Sequence, residues 1–365
     1  MNINEKKPLS PFIKALSNER LVQFSRLTAD AIPQISTFLN SIWSQHYGKT
    51  GSPVFHPDYL RWVLGGPNKD KNILYGAIIN NEMVAYQSLI YRKISCSNVE
   101  LNSYLHTHLA ISPKIDLRSR MDCGLQMGEQ SILFHRDSSY YDPSCDLVFG
   151  YVEEGKPLKN VGDSLLSKYF NIERKTCSSF NQFALIPQRL KKYMAENVSG
   201  RKLLNVRSAT EEDVAPLTAL FNQRPEETHF IMLMTQEELR HYFFGHSSRR
   251  TFVVEGQNGL DALITCYPLE MIKENKRSLY LIIEFILTDR LIGDSQTALA
   301  ALLAEAVKHA EEIGVKGIVF ENATYLNYRT FQPLGLIPTF RKMSMVLASK
   351  ENNVKYTGGF RCDIK

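Results

Sequence analysis

His106 and His108 stand two apart in Tyr104–Ile111, an apolar run that reads as a β-strand, so both rings are expected on one face. Unperturbed imidazoles titrate near pH 6.5, which suits either ring to take a proton from an ammonium nucleophile. Pro113 ends the strand, and Arg118 and Arg120 follow in a short basic stretch before a helix expected at about 121–136. A helix N-terminus offers unpaired N–H groups and the positive end of its dipole, so the two arginines beside it suit a phosphate-bearing anion. Glu284 is the third oddity, a carboxylate inside Leu281–Leu287, where burial is costly without a partner or a role. Half-buried, satisfied histidines and solvated loop arginines are the plain alternatives for the first two sets. Trp43, Trp62 and Tyr140-Tyr141 are expected to pack in core or loops, and Glu129 to face solvent.

The elements that position these residues follow from periodicity and punctuation. Val22–Thr28 reads as a strand and Ala29–Gln45 as a helix with apolar positions Ile32, Ile35, Phe38, Leu39 and Ile42. A short helix over His56–Leu64 opens at Pro57 and closes at Gly65-Gly66. Asn72–Ile79 and Glu82–Ile94 are joined by Asn80-Asn81, a hairpin signature because Asn tolerates positive φ. Val99–Ile111 continues the antiparallel run. Asp146–Val152, a helix over Asn160–Phe170 and a strand over Cys177–Leu185 complete the half.

The second half repeats this order. Asp30, Pro33 and Phe38 recur 183 positions later as Asp213, Pro216 and Phe221, where Thr210 and Asp213 suit a capped helix start. Leu60-Arg61 before Gly65 finds Leu239-Arg240 before Gly245. Leu279–Leu287 corresponds to the histidine-bearing strand, Thr297–Ile313 to the helix after it, Gly317–Asn322 to the next strand, Asn327–Leu334 to the short helix and Arg341–Leu347 to the last strand. A shared order across both halves predicts an internal duplication. Residues 1–20 read as an N-terminal arm, 21–187 and 202–349 as the two domains, 188–201 as the linker and 350–365 as a tail.

Composition excludes several classes. The chain has 365 residues, 44% hydrophobic and 22% charged, with mean hydropathy −0.23, and no apolar run nears the ~18–20 residues of a membrane span. No signal-peptide pattern opens the sequence, so a cytoplasmic protein is expected. The net charge of +5 is spread along the chain, which argues against a nucleic-acid partner. Six scattered cysteines form no Cys-x-x-Cys pair, so free thiols and no metal site are expected.

Leu109-Ala110-Ile111-Ser112-Pro113, then Arg118-Ser119-Arg120-Met121-Asp122-Cys123-Gly124, together with Asn322-Ala323 and Asn327–Leu336, resemble the GCN5-related N-acetyltransferase (GNAT) superfamily. The resemblance covers about residues 20–348, as in tandem members such as mycothiol synthase-like acetyltransferases and, more distantly, N-myristoyltransferases. It implies an α+β fold of two tandem GNAT-like domains, each a mixed, mostly antiparallel twisted sheet flanked by helices. It also implies an acyl-CoA-dependent N-acyltransferase, with acetyl-CoA as first expectation, acting on a primary amine of a small molecule, peptide or protein. A monomer or homodimer is expected.

In the family the donor arm lies along the splayed central strand and its pyrophosphate on the following loop and helix. That assigns cofactor contacts to Leu109, Ala110, Ile111, Arg118, Ser119, Arg120, Met121, Asp122, Cys123, Gly124 and Asn160, and the family's tyrosine that protonates the leaving thiolate suggests Tyr169, which joins His106, His108 and Glu284 as the catalytic candidates. The family loop, Arg/Gln-x-x-Gly-x-Gly/Ala, is altered here, because Met121 and Cys123 occupy its small-residue positions. The second half's Asp289–Asp294 carries two aspartates that would repel a pyrophosphate, so the first half is the expected donor site. Alternative readings are a longer-chain or carrier-bound donor, and an inactive tandem protein that binds CoA or a partner.

Overall fold

The computed structural model describes residues 22–49, 51–96, 98–136, 138–154, 172, 175–198, 204–223, 228–256, 259–288, 295–321, 328–349 and 359–361. The first half runs β1 (Phe24–Arg26), α1 (Ile32–Tyr47), β2 (Ser52–Pro53), α2 (Pro57–Leu64), β3 (Ile73–Ile79), β4 (Glu82–Cys96), β5 (Val99–Ile111), α3 (Leu117–Gln130), β6 (Leu147–Glu153) and β7 (Lys175–Leu185). After α4 (Pro187–Asn197) come β8 (Val206–Ser208), α5 (Val214–Asn222), β9 (Thr228–Leu233), α6 (Gln236–Phe244), β10 (Arg250–Glu255), β11 (Leu260–Lys273), β12 (Lys276–Thr288), α7 (Ser295–Glu312), β13 (Gly317–Phe320), α8 (Tyr328–Phe331), β14 (Leu336–Ser349) and β15 (Gly359–Arg361).

Asn80 and Asn81 take φ of 50° and 64°, as their hairpin required, and Glu274 and Asn275 (51° and 62°) turn β11 into β12 in the same way. The apolar face of α1 is buried through Ile32, Ile35, Phe38, Leu39 and Ile42. On the same helix, Asn40 grips the Phe55 backbone from both sides, accepting from its N–H at 2.8 Å and donating to its carbonyl at 3.1 Å. That pair fixes the entry to α2.

The main path of the sheet is ordered β1-β3-β4-β5-β6-β14-β7-β13-β12-β11-β10-β8. The last strands of the two halves have therefore changed places. β14 pairs antiparallel with β6 of the first half, and β7 pairs with β13 of the second. β14 and β7 also pair with each other at the centre of the sheet. Ser344 Oγ donates to Glu154 at 2.7 Å and Lys342 lies 2.9 Å from it. Bonds from Ser179, Ser344 and Lys342 hold that carboxyl down to about 2. One hydrophobic core spans both halves, with Ile90 and Phe149 of the first packed in the same cluster as Phe221, Phe243 and Phe285 of the second.

Helices α2 and α6 meet about an internal two-fold. Trp62 Nε1 donates to the His241 carbonyl at 3.2 Å, and His241 Nε2 donates to the Trp62 carbonyl at 2.9 Å. These two residues are 179 positions apart, the same offset that relates Leu60-Arg61 to Leu239-Arg240.

Several segments carry structure beyond that expected. The segment placed as a linker is largely α4, docked by the buried Leu190 and by a Lys191–Glu311 pair at 2.9 Å, because Pro187 starts a helix there. The tail is in part a strand: β15 pairs parallel with β9, a strand not anticipated. Arg361 is buried there, its guanidinium donating to the carbonyls of Phe221 and Gln223. Helix α3 begins at Leu117 because Asp116 caps it, accepting from Ser119 N–H at 3.0 Å and from Ser119 Oγ at 2.6 Å. Arg118 and Arg120 thus lie in the first helical turn and not in a loop.

Candidate active site

Parallel pairing between β5 and β6 runs from Ser103–Leu147 to His106–Gly150 and stops. Beyond that point β5 continues to Ile111 and β6 to Glu153, paired among the described residues with β4 and β14 respectively. The two strands thus part into a wedge in which the β6-facing edge of residues 108–111 has no strand partner among the described residues. Gly150 sits at the apex, where a Cβ would lie 3.0 Å from the His106 carbonyl oxygen.

A β-bulge marks the β5 side of the wedge. Tyr86 pairs with Ala110 and Ser88 with Thr107, so His108 and Leu109 together oppose Gln87 alone. His108 takes φ +56°, the left-handed conformation that the extra residue demands. The bulge overturns the expectation of two histidines on one face. His106 Nε2 bonds Gln87 Oε1 at 2.7 Å, whereas His108 Nδ1 bonds Ser88 Oγ at 2.8 Å. Gln87 and Ser88 are consecutive on β4 and project to opposite faces. The imidazoles are therefore on opposite sides of the sheet.

Their partners set their protonation. Gln87 Oε1 only accepts, so His106 Nε2 carries the ring proton, and Gln87 in turn donates to Gln130 at the end of α3. Ser88 Oγ donates to the Thr107 carbonyl at 3.2 Å and so accepts from His108 Nδ1–H. His108 Nε2 then carries a lone pair, and this atom is buried without a hydrogen-bond partner among the described residues. The ring is 2% exposed, and burial lowers its pKa from 6.5 to about 4, so it is neutral near pH 7. Phe55 meets the His108 ring edge-on at 5.3 Å, and Trp43 meets Phe55 at 5.0 Å. Trp43 Nε1 also donates to the Leu109 carbonyl at 3.3 Å, so α1 fastens the bulge directly.

The other expected donor contacts divide. Ala110 is buried and Leu109 and Ile111 are half-buried along the wedge. Arg118, Arg120 and Met121 are exposed on α3, while Ser119 is spent on the Asp116 cap. Asp122 accepts from Val22 N–H and from Gln126, both at 3.1 Å. Cys123 turns into a core with Val22, Ala77, Val84 and Met127, where burial pushes its thiol up to about 12. Gly124 is half-buried, and a Cβ there would meet nothing within 4 Å. Asn160, Tyr169, Asp289–Asp294 and Asn322–Asn327 lie outside the described residues.

The second half repeats the bulge, beside the end of a parallel pairing, with different contents. β12 pairs with β13 from Tyr280–Gly317 to Ile283–Phe320, and Thr265–Phe285 followed by Cys266–Ile283 leaves Glu284 as the extra residue. Glu284, 3% exposed, lies 2.5 Å from Arg249 Nη2 and accepts from the Tyr242 hydroxyl. Arg249 Nε donates to Thr265 Oγ1 at 3.0 Å. The guanidinium stands over the rings of Tyr242 at 4.4 Å and of Trp62, contributed by the first half, at 5.0 Å. An ion pair thus fills the position equivalent to His108.

Sequence reasoning missed Ser88, Gln87, Arg249 and Tyr242. Gln87-Ser88 carried a usable signal, a polar pair inside an otherwise apolar strand; Arg249 beside Arg250 carried none. Among the described residues no group of three or more His, Cys, Asp or Glu is placed to hold a metal, and no helix is long and apolar enough to cross a membrane.

No protein-family model and no curated protein matches the sequence. Solved structures do match in fold. N-myristoyltransferase from Saccharomyces cerevisiae with bound myristoyl-CoA superposes with a TM-score of 0.68 at 16% identity, over 100% of this chain and 89% of that one. The same enzyme with myristoyl-CoA and inhibitors gives 0.68 at 17% identity, over 100% and 91%. A conserved protein of unknown function from Enterococcus faecalis, named a probable N-acyltransferase, gives 0.53 at 9% identity, over 89% and 72%. The chain therefore has the expected α+β, tandem GNAT-like fold, in the arrangement seen in N-myristoyltransferase.

Proposed function

We propose that the protein is an acyl-CoA-dependent N-acyltransferase whose donor binds in the wedge between β5 and β6, with residues 21–187 and 202–349 as its duplicated units. The observation that carries this reading is the early end of β5–β6 pairing beside the His108 bulge. A pantetheine arm carries amides that can bond the edge of 108–111, which has no strand partner among the described residues, as an added strand would. Arg118 and Arg120, exposed on the first turn of α3, are the cations assigned to its phosphates in this reading.

The amine nitrogen attacks the thioester carbonyl, and backbone N–H groups at the bulge bond the oxyanion that develops. His108 Nε2, neutral and oriented through Ser88, takes the proton from the attacking nitrogen as the C–N bond forms. The C–S bond then breaks and the thiolate leaves, with Tyr169 the candidate to protonate it. Glu284 is given a structural part instead, since Arg249 and Tyr242 occupy it. Acetyl is the first donor to test. The S. cerevisiae enzyme of the same fold binds myristoyl-CoA, which brings longer chains into the panel.

Thiol release from acyl-CoAs of two to sixteen carbons, each with small-molecule, peptide and protein amines, is the direct test. Turnover that disappears in His108→Ala is the expected result. Arg118→Ala/Arg120→Ala is expected to weaken CoA binding by about tenfold or more in calorimetry, and unchanged affinity sinks the donor site. The second reading, a tandem protein that binds acyl-CoA without turning it over, is favoured by one observation, the low pKa of His108. Tight CoA binding with no thiol release across the panel would select it.

A further inference from the structure

Helix α3, which follows β5, carries a face that is exposed at its start and only partly covered further on. Leu117 and Met121 are 65% and 45% exposed, among the most exposed large apolar side chains of the protein. They are followed along the same side of α3 by Gly124 and Gly128, where an added Cβ would meet no atom within 4 Å. Positions 117, 121, 124 and 128 fall at i, i+4, i+7 and i+11, so they make one continuous stripe. Lys114, Arg118 and Arg120 are exposed at the end of this stripe nearest β5. A buried helix face and a solvated one are both easily recognised, and this face is neither. It has apolar knobs, then two glycines that let another backbone come close, and cations at the end where the donor arm must enter.

Asp116 lies at the same end, exposed and with its carboxylate on Ser119. Three cations thus stand against one anion, and the end keeps a net positive charge for an acidic partner.

We infer that the stripe from Leu117 to Gly128, with Lys114, Arg118 and Arg120, docks an acidic helix of a carrier protein that presents its acyl group on a phosphopantetheine arm. The inference rests on the proposed acyl transfer and names its donor class. A carrier delivers the same arm to the same strand edge with one phosphodiester in place of a pyrophosphate and adenosine phosphate. Its acidic side chains meet the three cations, and its helix lies over the glycines. The chemistry is unchanged in balance: the amine nitrogen bonds the acyl carbon, the carbon–sulfur bond breaks, and carrier thiol plus one proton from the ammonium are released.

The test compares one acyl group, the one that CoA delivers fastest in the thiol-release panel, on an acidic acyl carrier protein and on CoA, using the full chain and the double variant Leu117→Ser/Gly128→Gln, which changes the stripe without adding charge. Leu117 is exposed and a Cβ at 128 would meet no atom within 4 Å, so the variant is expected to keep the wild-type melting temperature, and this is checked first. The expected result is turnover of both donors by the wild type, with the variant's kcat/KM lowered by about tenfold or more for the carrier donor and by less than about twofold for CoA. Raised salt should weaken the carrier reaction more than the CoA reaction. Use of the CoA donor without use of the carrier donor, or equal losses on both, overturns the docking inference and leaves acyl transfer standing. If neither donor yields amide, it is the reading of function that fails. Calorimetry with the phosphopantetheinylated carrier then decides docking on its own: binding lost in the variant supports it, and no binding to the wild type overturns it. Retention on anionic vesicles that the variant abolishes, with no carrier binding, assigns the face to a membrane surface instead.

Discussion

The parallel pairings of β5 with β6 and of β12 with β13 end at corresponding points, and β5 and β12 bulge at the next residues, yet the two bulges hold opposite chemistry. One presents His108, neutral, with a lone pair no described residue uses. The other holds Glu284 clamped by Arg249 and Tyr242 under an aromatic roof to which the first half lends Trp62. One extra residue at a corresponding place, at positive φ in His108 and not in Glu284, has thus been kept open in one copy and filled in the other. A bulge supplies geometry, and the residue it carries decides whether that geometry holds a site or a joint.

The largest expected effect tests the joint. Glu284→Ala leaves a buried guanidinium without its counter-charge and is expected to cost about 3–5 kcal/mol of stability by urea denaturation. Replacing Glu284 and Arg249 together with apolar residues of similar volume should cost far less, and an equal loss would mean the pair is not acting as a unit.

The open bulge is expected to announce itself in acid. The folded pKa of His108, about 4, lies below its unfolded value of 6.5, so below pH 6.5 the unfolded chain takes up a proton that the folded chain refuses. The cost should therefore be absent above about pH 6.5, accumulate as pH falls toward 4 and level off below, reaching about 3 kcal/mol. His108→Asn retains a residue that tolerates positive φ, and its stability profile should lack that slope. Turnover in the same variant is expected to fall by about 10²-fold or more at pH 7 if His108 is the proton acceptor, whereas a purely structural bulge residue would leave it nearly intact.

The repeated helix starts give a smaller contrast. Asp213 takes two bonds from Arg207, at 2.6 and 2.7 Å, and one from Thr210 N–H at 2.8 Å, while its counterpart Asp30 is exposed. Asp213→Ala is expected to lower stability by about 1–2 kcal/mol and Asp30→Ala by a few tenths, measured as paired shifts in denaturation midpoint. At the two-fold itself, Trp62→Phe removes one of two reciprocal bonds and should cost about 1 kcal/mol.

Much of the fold was legible because local rules held. The Asn80-Asn81 turn, the limits of β5, the helix start at Asp213 and the shared order of elements all rest on short-range chemistry. What could not be read depends on distant residues. The opposite facing of His106 and His108 follows from one unpaired residue in a ladder with β4, and alternation alone predicts the reverse. The partner of Glu284 lies 35 positions away. The shift of α3 by four residues was locally visible, since Asp116 is a good cap, but the basic residues after it read as a loop. The buried Arg361 pairs with carbonyls 138 and 140 residues earlier, which a polar tail gives no reason to expect.

The crossing of β7 and β14 bears on how the chain is made. During synthesis β6 emerges with one edge bare, and the strand that covers it, β14, follows about 200 residues later, from Leu147 to its partner Ser349. At about 5–20 residues per second that interval lasts on the order of ten to forty seconds. For all that time the first half has its helices but not its full sheet, and the open edge of β6 can recruit a strand from a second nascent chain. A shortened chain ending before residue 336 is accordingly expected to be retained by chaperones or to pair between molecules, even though it contains every residue assigned to the donor wedge.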